Sequence, residues 1–135
     1  MRELTHFIGG KHVKGMSGRF SEGWEPMTGE QISIVPLASK AEVRMAVENA
    51  KEAQPGWAAA NPQRRARVMM KFVDLLNRDY DALAELLARE HGKTIPDARG
   101  DIQRGLEVAE FAIGIPHLLK GEYSEGAGPG IDLYS

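Results

Sequence analysis

A long helical zone, residues 39–116, takes up more than half of the chain and constrains its fold most strongly. Ser39 and Glu42 form a capping box, in which the serine oxygen accepts an early backbone N–H and the glutamate reaches back. Apolar residues then recur at helical spacing. They are Val43, Ala46, Val47, Ala50 and Ala53. Pro55 and Gly56 predict that this first helix ends there.

Two more helices are predicted between residues 61 and 92. Asn61 is a typical N-cap and Pro62 suits the first helical position. The apolar residues expected on the buried face of this second helix are Val68, Phe72, Leu75 and Leu76. Residues 77–79 predict a break, and Asp79 is a candidate cap for a third helix that ends at Gly92. Leucines at 83, 86 and 87 are expected inside.

The last helix is predicted to begin near residues 94–97 and to carry one continuous apolar stripe. The stripe consists of Ile102, Leu106, Ala109 and Ile113. Gly105 lies inside this helix at a cost of about 1 kcal/mol relative to alanine. We therefore expect another backbone to approach it closely. Pro116 predicts the end of the helix.

Strand-like, turn-rich sequence precedes the helical zone. Gly9 and Gly10 join two short strand-like runs and predict a hairpin, because tight hairpin turns need positive φ. Residues 26–29, Pro-Met-Thr-Gly, have the composition of a turn. They predict a second hairpin between residues 19–24 and 31–35.

Glycine-rich sequence follows the helices. Residues 121–130 are predicted to form a loose connection, and residues 131–134 to begin a strand. The sequence stops within this strand pattern, and we therefore expect it to be the first part of a longer protein.

Composition excludes several classes of function. The formal net charge of -2 gives no electrostatic reason to expect nucleic acid or an anionic membrane as a partner. With no cysteine, the chain has no disulfide, no cysteine-ligated zinc and no thiol nucleophile. Residues 1–6 lack a signal-peptide layout, and the apolar run 111–115 is too short to cross a bilayer. We expect a cytoplasmic location.

Common motifs for cofactors and metals are missing from the sequence. No Gly-x-Gly-x-x-Gly follows a strand, and the glycine-rich run 126–130 lacks a following Lys-Ser/Thr. The four histidines are scattered, without an established metal spacing. Glu107 and Glu110 lie three apart on one helix, where a solvated face is favoured over a polar cavity.

Arg104 is the one candidate binding residue. It lies off the apolar stripe and beside Gly105, and a guanidinium there could hold a carboxylate through two hydrogen bonds. Periodicity alone favours the alternative, a surface arginine paired with Asp101 or Glu107.

Five segments together resemble the aldehyde dehydrogenase superfamily over essentially the whole chain. They are residues 7–11 (Phe-Ile-Gly-Gly-Lys), 25–30 (Glu-Pro-Met-Thr-Gly-Glu), Trp57, 64–66 (Arg-Arg-Ala) and 90–93 (Glu-His-Gly-Lys). Two positions depart from the family's turn, since Glu25 replaces asparagine and Met27 replaces alanine. Within the superfamily, residues 97–108 and 111–121 are most similar to the CoA-acylating methylmalonate-semialdehyde dehydrogenase branch.

The resemblance implies an α/β fold of which this portion is mainly helical. Residues 1–37 would be a β-hairpin segment, 38–120 the helical part of the cofactor-binding domain, and 121–135 the start of an oligomerisation strand. The family enzyme oxidises methylmalonate or malonate semialdehyde with NAD and passes the acyl group to CoA, usually as a dimer or tetramer. Its catalytic cysteine, asparagine and glutamate and its cofactor loops have no counterpart here. We expect the chain alone to be inactive.

The resemblance strengthens the prediction for Arg104, because the substrate bears a carboxylate and the helix with residues 103–105 borders the family's substrate tunnel. Two alternatives stay open: a stand-alone helical interaction module, and part of another aldehyde dehydrogenase branch with a neutral substrate. The helices would normally cover a sheet contributed by other residues. We therefore expect exposed apolar surface, with self-association or low stability of the chain alone.

Overall fold

The computed structural model describes residues 1–135 and contains seven strands and five helices. They form two compact units. The first unit comprises Met1–Ala60 and Tyr80–Ile102, and the second comprises Asn61–Asp79 and Gln103–Ser135. No helix has the length and apolar character needed to span a bilayer.

The strands of the first unit form one hairpin and one three-stranded sheet. They are β1 (Arg2–Glu3), β2 (His6–Ile8), β3 (Lys11–Val13), β4 (Phe20–Trp24) and β5 (Gln31–Pro36). The β2–β3 hairpin is confirmed, with φ of 60° at Gly9 and 74° at Gly10. The β4–β5 hairpin is confirmed as well, and β1 adds to β5 in parallel to give the order β1-β5-β4.

Helix α1 spans Lys40–Ala59 and begins with the predicted capping box at Ser39. The predicted end at Pro55 is wrong, because the helix continues for four more residues. Proline removes a single N–H donor from the helix interior. The residues that follow keep theirs, and Ala58 and Ala59 have the highest helix propensity of any residue type.

Helices α3 (Tyr80–His91) and α4 (Ile95–Ile113) meet in the first unit through small side chains. Ala84, Ala88 and Ala98 are buried, and Leu87 and Ile102 pack against them. Helix α3 ends as predicted at Gly92, where φ is 76°. The short alanine side chains allow the two helices to approach closely.

Two polar contacts reinforce the pairing of α3 with α4. The Tyr80 hydroxyl donates to the Arg99 carbonyl over 2.8 Å. The Arg99 guanidinium also donates to the Asp81 carboxylate over 2.9 Å.

The second unit contains α2 (Pro62–Arg78), the later turns of α4 and α5 (Ile115–Leu118), followed by β6 (Tyr123–Gly128) and β7 (Ile131–Tyr134). Asn61 caps α2 as predicted, accepting from the Gln63 N–H over 2.8 Å. The helix buries Ala66, whereas three of the residues expected on its buried face are exposed. They are Val68, Phe72 and Leu75. Periodicity identifies an apolar face but not what covers it.

Four details differ from the sequence-based expectations. An added Cβ at Gly105 would meet no atom within 4 Å, so the expected close backbone approach is absent. Helix α4 ends at Ile113, and Pro116 instead lies in the first turn of α5. The carboxylate of Asp79 binds the Arg78 guanidinium. Most of the expected loose connection is β6, which pairs with β7 around a bulge.

Candidate functional site

One face of α4 carries the candidate site. Arg104, Val108 and Phe111 recur along this helix at steps of four and three residues, all within the second unit. At about 100° per residue, these steps place all three on one side of the helix. The predicted apolar stripe lies on the opposite side, where Leu106 and Ala109 are buried.

Arg104 is exposed on this face. Next to it, the Gln103 amide donates to the Glu107 carboxylate over 3.2 Å, one turn further along the helix. The structure therefore places Arg104 on the exposed side of α4, opposite the buried stripe.

Val108 and Phe111 are the residues that the sequence analysis did not single out. They are 70% and 68% exposed, although both are apolar. Their spacing of four and seven residues from Arg104 is visible in the sequence, but the four-residue buried stripe is the stronger helical pattern. A cationic group beside two apolar side chains suits a small molecule that has a carboxylate at one end and a short carbon chain.

Lys93 lies in the turn between α3 and α4, in the first unit. Its Nζ is 2.9 Å from an Asp97 oxygen and closer still to an Asp101 oxygen, and its side chain is only 17% exposed. The hydrogen bonds that its ammonium donates to Asp101 and then to Asp97 raise the pKa of Lys93. The ammonium thus joins the turn after α3 to the first two turns of α4.

A separate polar centre in the first unit surrounds the buried Glu42. Its carboxylate accepts from the Met16 N–H over 2.6 Å and from the Ser39 N–H over 2.7 Å. These backbone hydrogen bonds, with one from the Ser39 side chain, lower the pKa of Glu42 to about 2. The His6 Nε2 lies 3.7 Å away. Because the donors are backbone groups, the arrangement anchors a loop and a helix end.

Cavities open on the surface of each of the two units. An apolar one of about 400 Å³ lies between β2 and α1, with Phe7 and Val47 in its wall. A polar one of about 640 Å³ is lined by the Arg2–Glu90 pair and by Arg89. The third, about 660 Å³, is an open groove on α2.

The other chemistry-bearing residues of the sequence are not brought together. No group of three or more histidine, aspartate or glutamate side chains is placed to hold a metal ion. The glycine-rich run 126–130 lies in the β6–β7 hairpin, whereas a phosphate-binding loop leads into a helix N-terminus. It therefore does not form a nucleotide site of that kind.

The β-hairpins, the helices that follow them and the turn at residues 90–93 are together typical of one protein family. A sequence model of the aldehyde dehydrogenase family matches residues 12–134. The chain belongs to the aldehyde dehydrogenase family, and the resemblance noted in the sequence is confirmed.

Relatives within this family narrow the comparison. The chain is 41% identical over its whole length to a malonate-semialdehyde dehydrogenase of Pseudomonas aeruginosa, of which it covers 27%. It is 42% identical over 98% of its length to a mitochondrial, acylating methylmalonate-semialdehyde dehydrogenase of Arabidopsis thaliana, of which it covers 22%. The chain therefore spans about a quarter of the length of these relatives.

Solved structures show the same relationship. A crystal structure from Sinorhizobium meliloti, described as a methylmalonate-semialdehyde dehydrogenase complexed with NAD, aligns over 99% of the chain with a TM-score of 0.90 and 66% identity. A methylmalonate-semialdehyde dehydrogenase from Oceanimonas doudoroffii aligns with a TM-score of 0.89 and 42% identity. The chain covers 27% of each. Its fold is that of the N-terminal portion of these enzymes.

Proposed function

We propose that this chain is the N-terminal part of an NAD-dependent, CoA-acylating dehydrogenase of methylmalonate or malonate semialdehyde. Support comes from the names of its relatives, which act on these two semialdehydes, and from the NAD complex of the S. meliloti protein. The share of each relative that the chain covers supports its place as one portion of a larger enzyme.

In this proposal, Arg104 binds the substrate carboxylate. The observation that carries it is the outward face of α4, where Arg104 lies beside the exposed Val108 and Phe111. A planar guanidinium matches the two oxygens of a carboxylate, and the apolar neighbours suit the short carbon chain behind it. Both semialdehydes have this build, a carboxylate a few bonds from the aldehyde.

The redox chemistry belongs to other parts of the enzyme. In the complete enzyme, NAD would supply the hydride acceptor and CoA the acceptor of the acyl group. Attack on the aldehyde requires a thiol, and this chain has no cysteine. The chain therefore contributes scaffold and substrate selection.

We also infer that the complete enzyme is a homo-oligomer and that it is located in the cytoplasm. Gel filtration tests the oligomeric state, and cell fractionation tests the location.

The test is Arg104→Ala in the complete dehydrogenase that carries this chain. We expect kcat/KM for methylmalonate semialdehyde to fall by about 100-fold, equivalent to ~3 kcal/mol for a charged hydrogen bond. A neutral aldehyde such as propanal should lose much less. Arg99→Ala is the matched control, because Arg99 lies five residues earlier on α4 and binds Asp81.

Arg104→Lys separates charge from shape. It keeps the positive charge but lacks the planar fork, and we expect it to recover only part of the lost activity. A change of less than threefold for Arg104→Ala would show that Arg104 does not bind the carboxylate. Equal use of neutral aldehydes and semialdehydes by the unaltered enzyme would favour another branch of the family.

A further inference from the structure

We propose that Val108 selects between the two semialdehydes by contacting the carbon that lies between the carboxylate and the aldehyde. The two substrates share both end groups and differ only at this carbon. It bears a methyl group in methylmalonate semialdehyde and a hydrogen in its place in malonate semialdehyde. The inference rests on the proposed function of Arg104 and extends it, because a residue that binds only the carboxylate treats the two substrates alike.

Val108 lies one turn after Arg104 on the outward face of α4, and both residues belong to the second unit. Residues four apart on a helix have Cβ atoms about 5–6 Å apart. Each Cα–Cβ bond of a helix also tilts towards the helix N-terminus, so the side chain of Val108 leans over the turn that carries Arg104. An apolar surface therefore stands beside the proposed position of the substrate carboxylate.

The dimensions of the substrate bring its methyl group within reach of Val108. The methyl carbon is two single bonds from the carboxylate carbon, about 2.5 Å away. Phe111 is less well placed, because helical rise puts it ~10.5 Å from Arg104 along the axis, against ~6 Å for Val108. Of the two exposed apolar residues that follow Arg104 on this face, Val108 is thus the nearer to the methyl group.

The side chain of Val108 has the exposure and the shape that such a contact requires. It is 70% exposed, so most of its surface is open to a ligand. Valine is branched at Cβ, and one χ1 rotamer strongly predominates in helices. Its two methyl groups thus form a fixed apolar surface. A substrate methyl group is stabilised when it leaves water for such a surface, whereas a hydrogen at the same place gains little.

The test measures kcat/KM for both semialdehydes in the complete dehydrogenase, with and without Val108→Ala. We expect the substitution to lower the ratio of the methylmalonate value to the malonate value about fourfold, equivalent to ~0.8 kcal/mol for one methyl group. The value for malonate semialdehyde should change less than twofold. Val47→Ala is the matched control, because Val47 is an exposed valine of α1 in the first unit, and it should leave the ratio unchanged.

Val108→Thr separates polarity from volume. Threonine has nearly the shape of valine, but it replaces a methyl group with a hydroxyl, which is costly to bury without a hydrogen bond. We expect the ratio to fall at least as far as in Val108→Ala. Phe111→Ala should leave the ratio within twofold of the original. Because Val108 and Phe111 are exposed, these substitutions should have little effect on folding.

An unchanged ratio in both Val108 variants, or an equal loss for the two semialdehydes, would overturn the proposal. A ratio that changes only in Phe111→Ala would overturn it as well, since the methyl group would then lie against Phe111. Failure of the proposed function is distinguishable, because kcat/KM for both semialdehydes would then be insensitive to Arg104→Ala. If Arg104→Ala lowers both values while the Val108 variants keep the ratio, only the role of Val108 is wrong.

Discussion

At the residue scale, Glu42 shows how a charge is accommodated in a buried position. An ionised carboxylate taken out of water is costly unless hydrogen bonds replace its hydration. Here the Met16 and Ser39 N–H groups supply them, with His6 nearby. One side chain thereby fixes the loop at Met16 and the first turn of α1.

Glu42→Gln should destabilise the chain at neutral pH. It should also reduce the change in the free energy of unfolding between neutral and acid pH. The folded pKa of Glu42 is about 2, below its ordinary value of 4.5. Its stabilising effect is therefore complete above pH 4.5 and is lost as the pH falls towards 2. Urea midpoints measured from pH 7 to pH 2 test this. Glu48→Gln, at an exposed position on α1, should retain the original profile.

Glycines 105 and 92 should respond in opposite directions to alanine. A Cβ at Gly105 has open space, and alanine is favoured by about 1 kcal/mol within a helix. Gly92 has φ of +76° and only 3.0 Å between an added Cβ and a Pro26 carbon. Thermal unfolding should show a higher Tm for Gly105→Ala and a lower Tm for Gly92→Ala. A lower Tm for both would mean that Gly105 is in close contact with another group.

At the element scale, features that are encoded locally could be predicted from the sequence. The hairpin at Gly9 and Gly10 and the caps at Ser39 and Asn61 depend on neighbouring residues alone, and all are confirmed. What could not be predicted depends on distant groups. The face of α2 that becomes buried is one example, since its sequence periodicity does not specify a partner.

The candidate site, too, could be predicted from the sequence only in part. From the sequence alone, Arg104 was predicted to lie off the apolar stripe and beside Gly105, and its binding of the substrate stays a prediction. The charge cluster of Lys93, Asp97 and Asp101 was missed, because Lys93 belongs to a turn and the aspartates to a helix. The i, i+4 spacing of the aspartates was visible, but the proximity of Lys93 to both became apparent only in the folded chain.

Pro55 also gives an element-scale prediction. It lies inside α1, where it leaves the Lys51 carbonyl without its usual helical donor. Pro55→Ala should restore this hydrogen bond and stabilise the helix by about 1–3 kcal/mol. Circular dichroism during thermal unfolding is the measurement, and Ala53→Gly, with an expected loss of about 1 kcal/mol, is the control of opposite sign. A lower Tm for Pro55→Ala would mean that the proline ring itself contributes to packing.

At the scale of the whole molecule, the buried apolar side chains are few and mostly small. They are Ala66, Ala84, Ala88, Ala98, Leu106 and Ala109. Burial stabilises in proportion to apolar area, so alanines contribute little. Many large apolar side chains are exposed instead, among them Phe7, Trp57, Phe72 and Phe111. Exposed apolar surface was expected from the sequence, and the structure confirms it.

The 135-residue chain alone should therefore self-associate and bind a hydrophobic dye. The groove on α2 is a suitable place to test this, because Val68 and Phe72 are exposed there between Arg64, Arg67 and Lys71. Val68→Thr with Phe72→Ser should reduce dye fluorescence and the apparent mass in analytical ultracentrifugation. Arg67→Gln, on the rim of the same groove, is the control and should affect both measurements less.

The same pair of substitutions should have the opposite consequence in the complete enzyme. If other parts of the enzyme cover the α2 groove, each substitution removes buried apolar contacts, at a combined cost of about 3–5 kcal/mol. The Tm of the complete enzyme should then fall while that of the isolated chain changes little. An unchanged Tm in both proteins would mean that the groove stays exposed in the assembled enzyme. A monomeric isolated chain that unfolds cooperatively without binding dye would contradict the expectation of self-association.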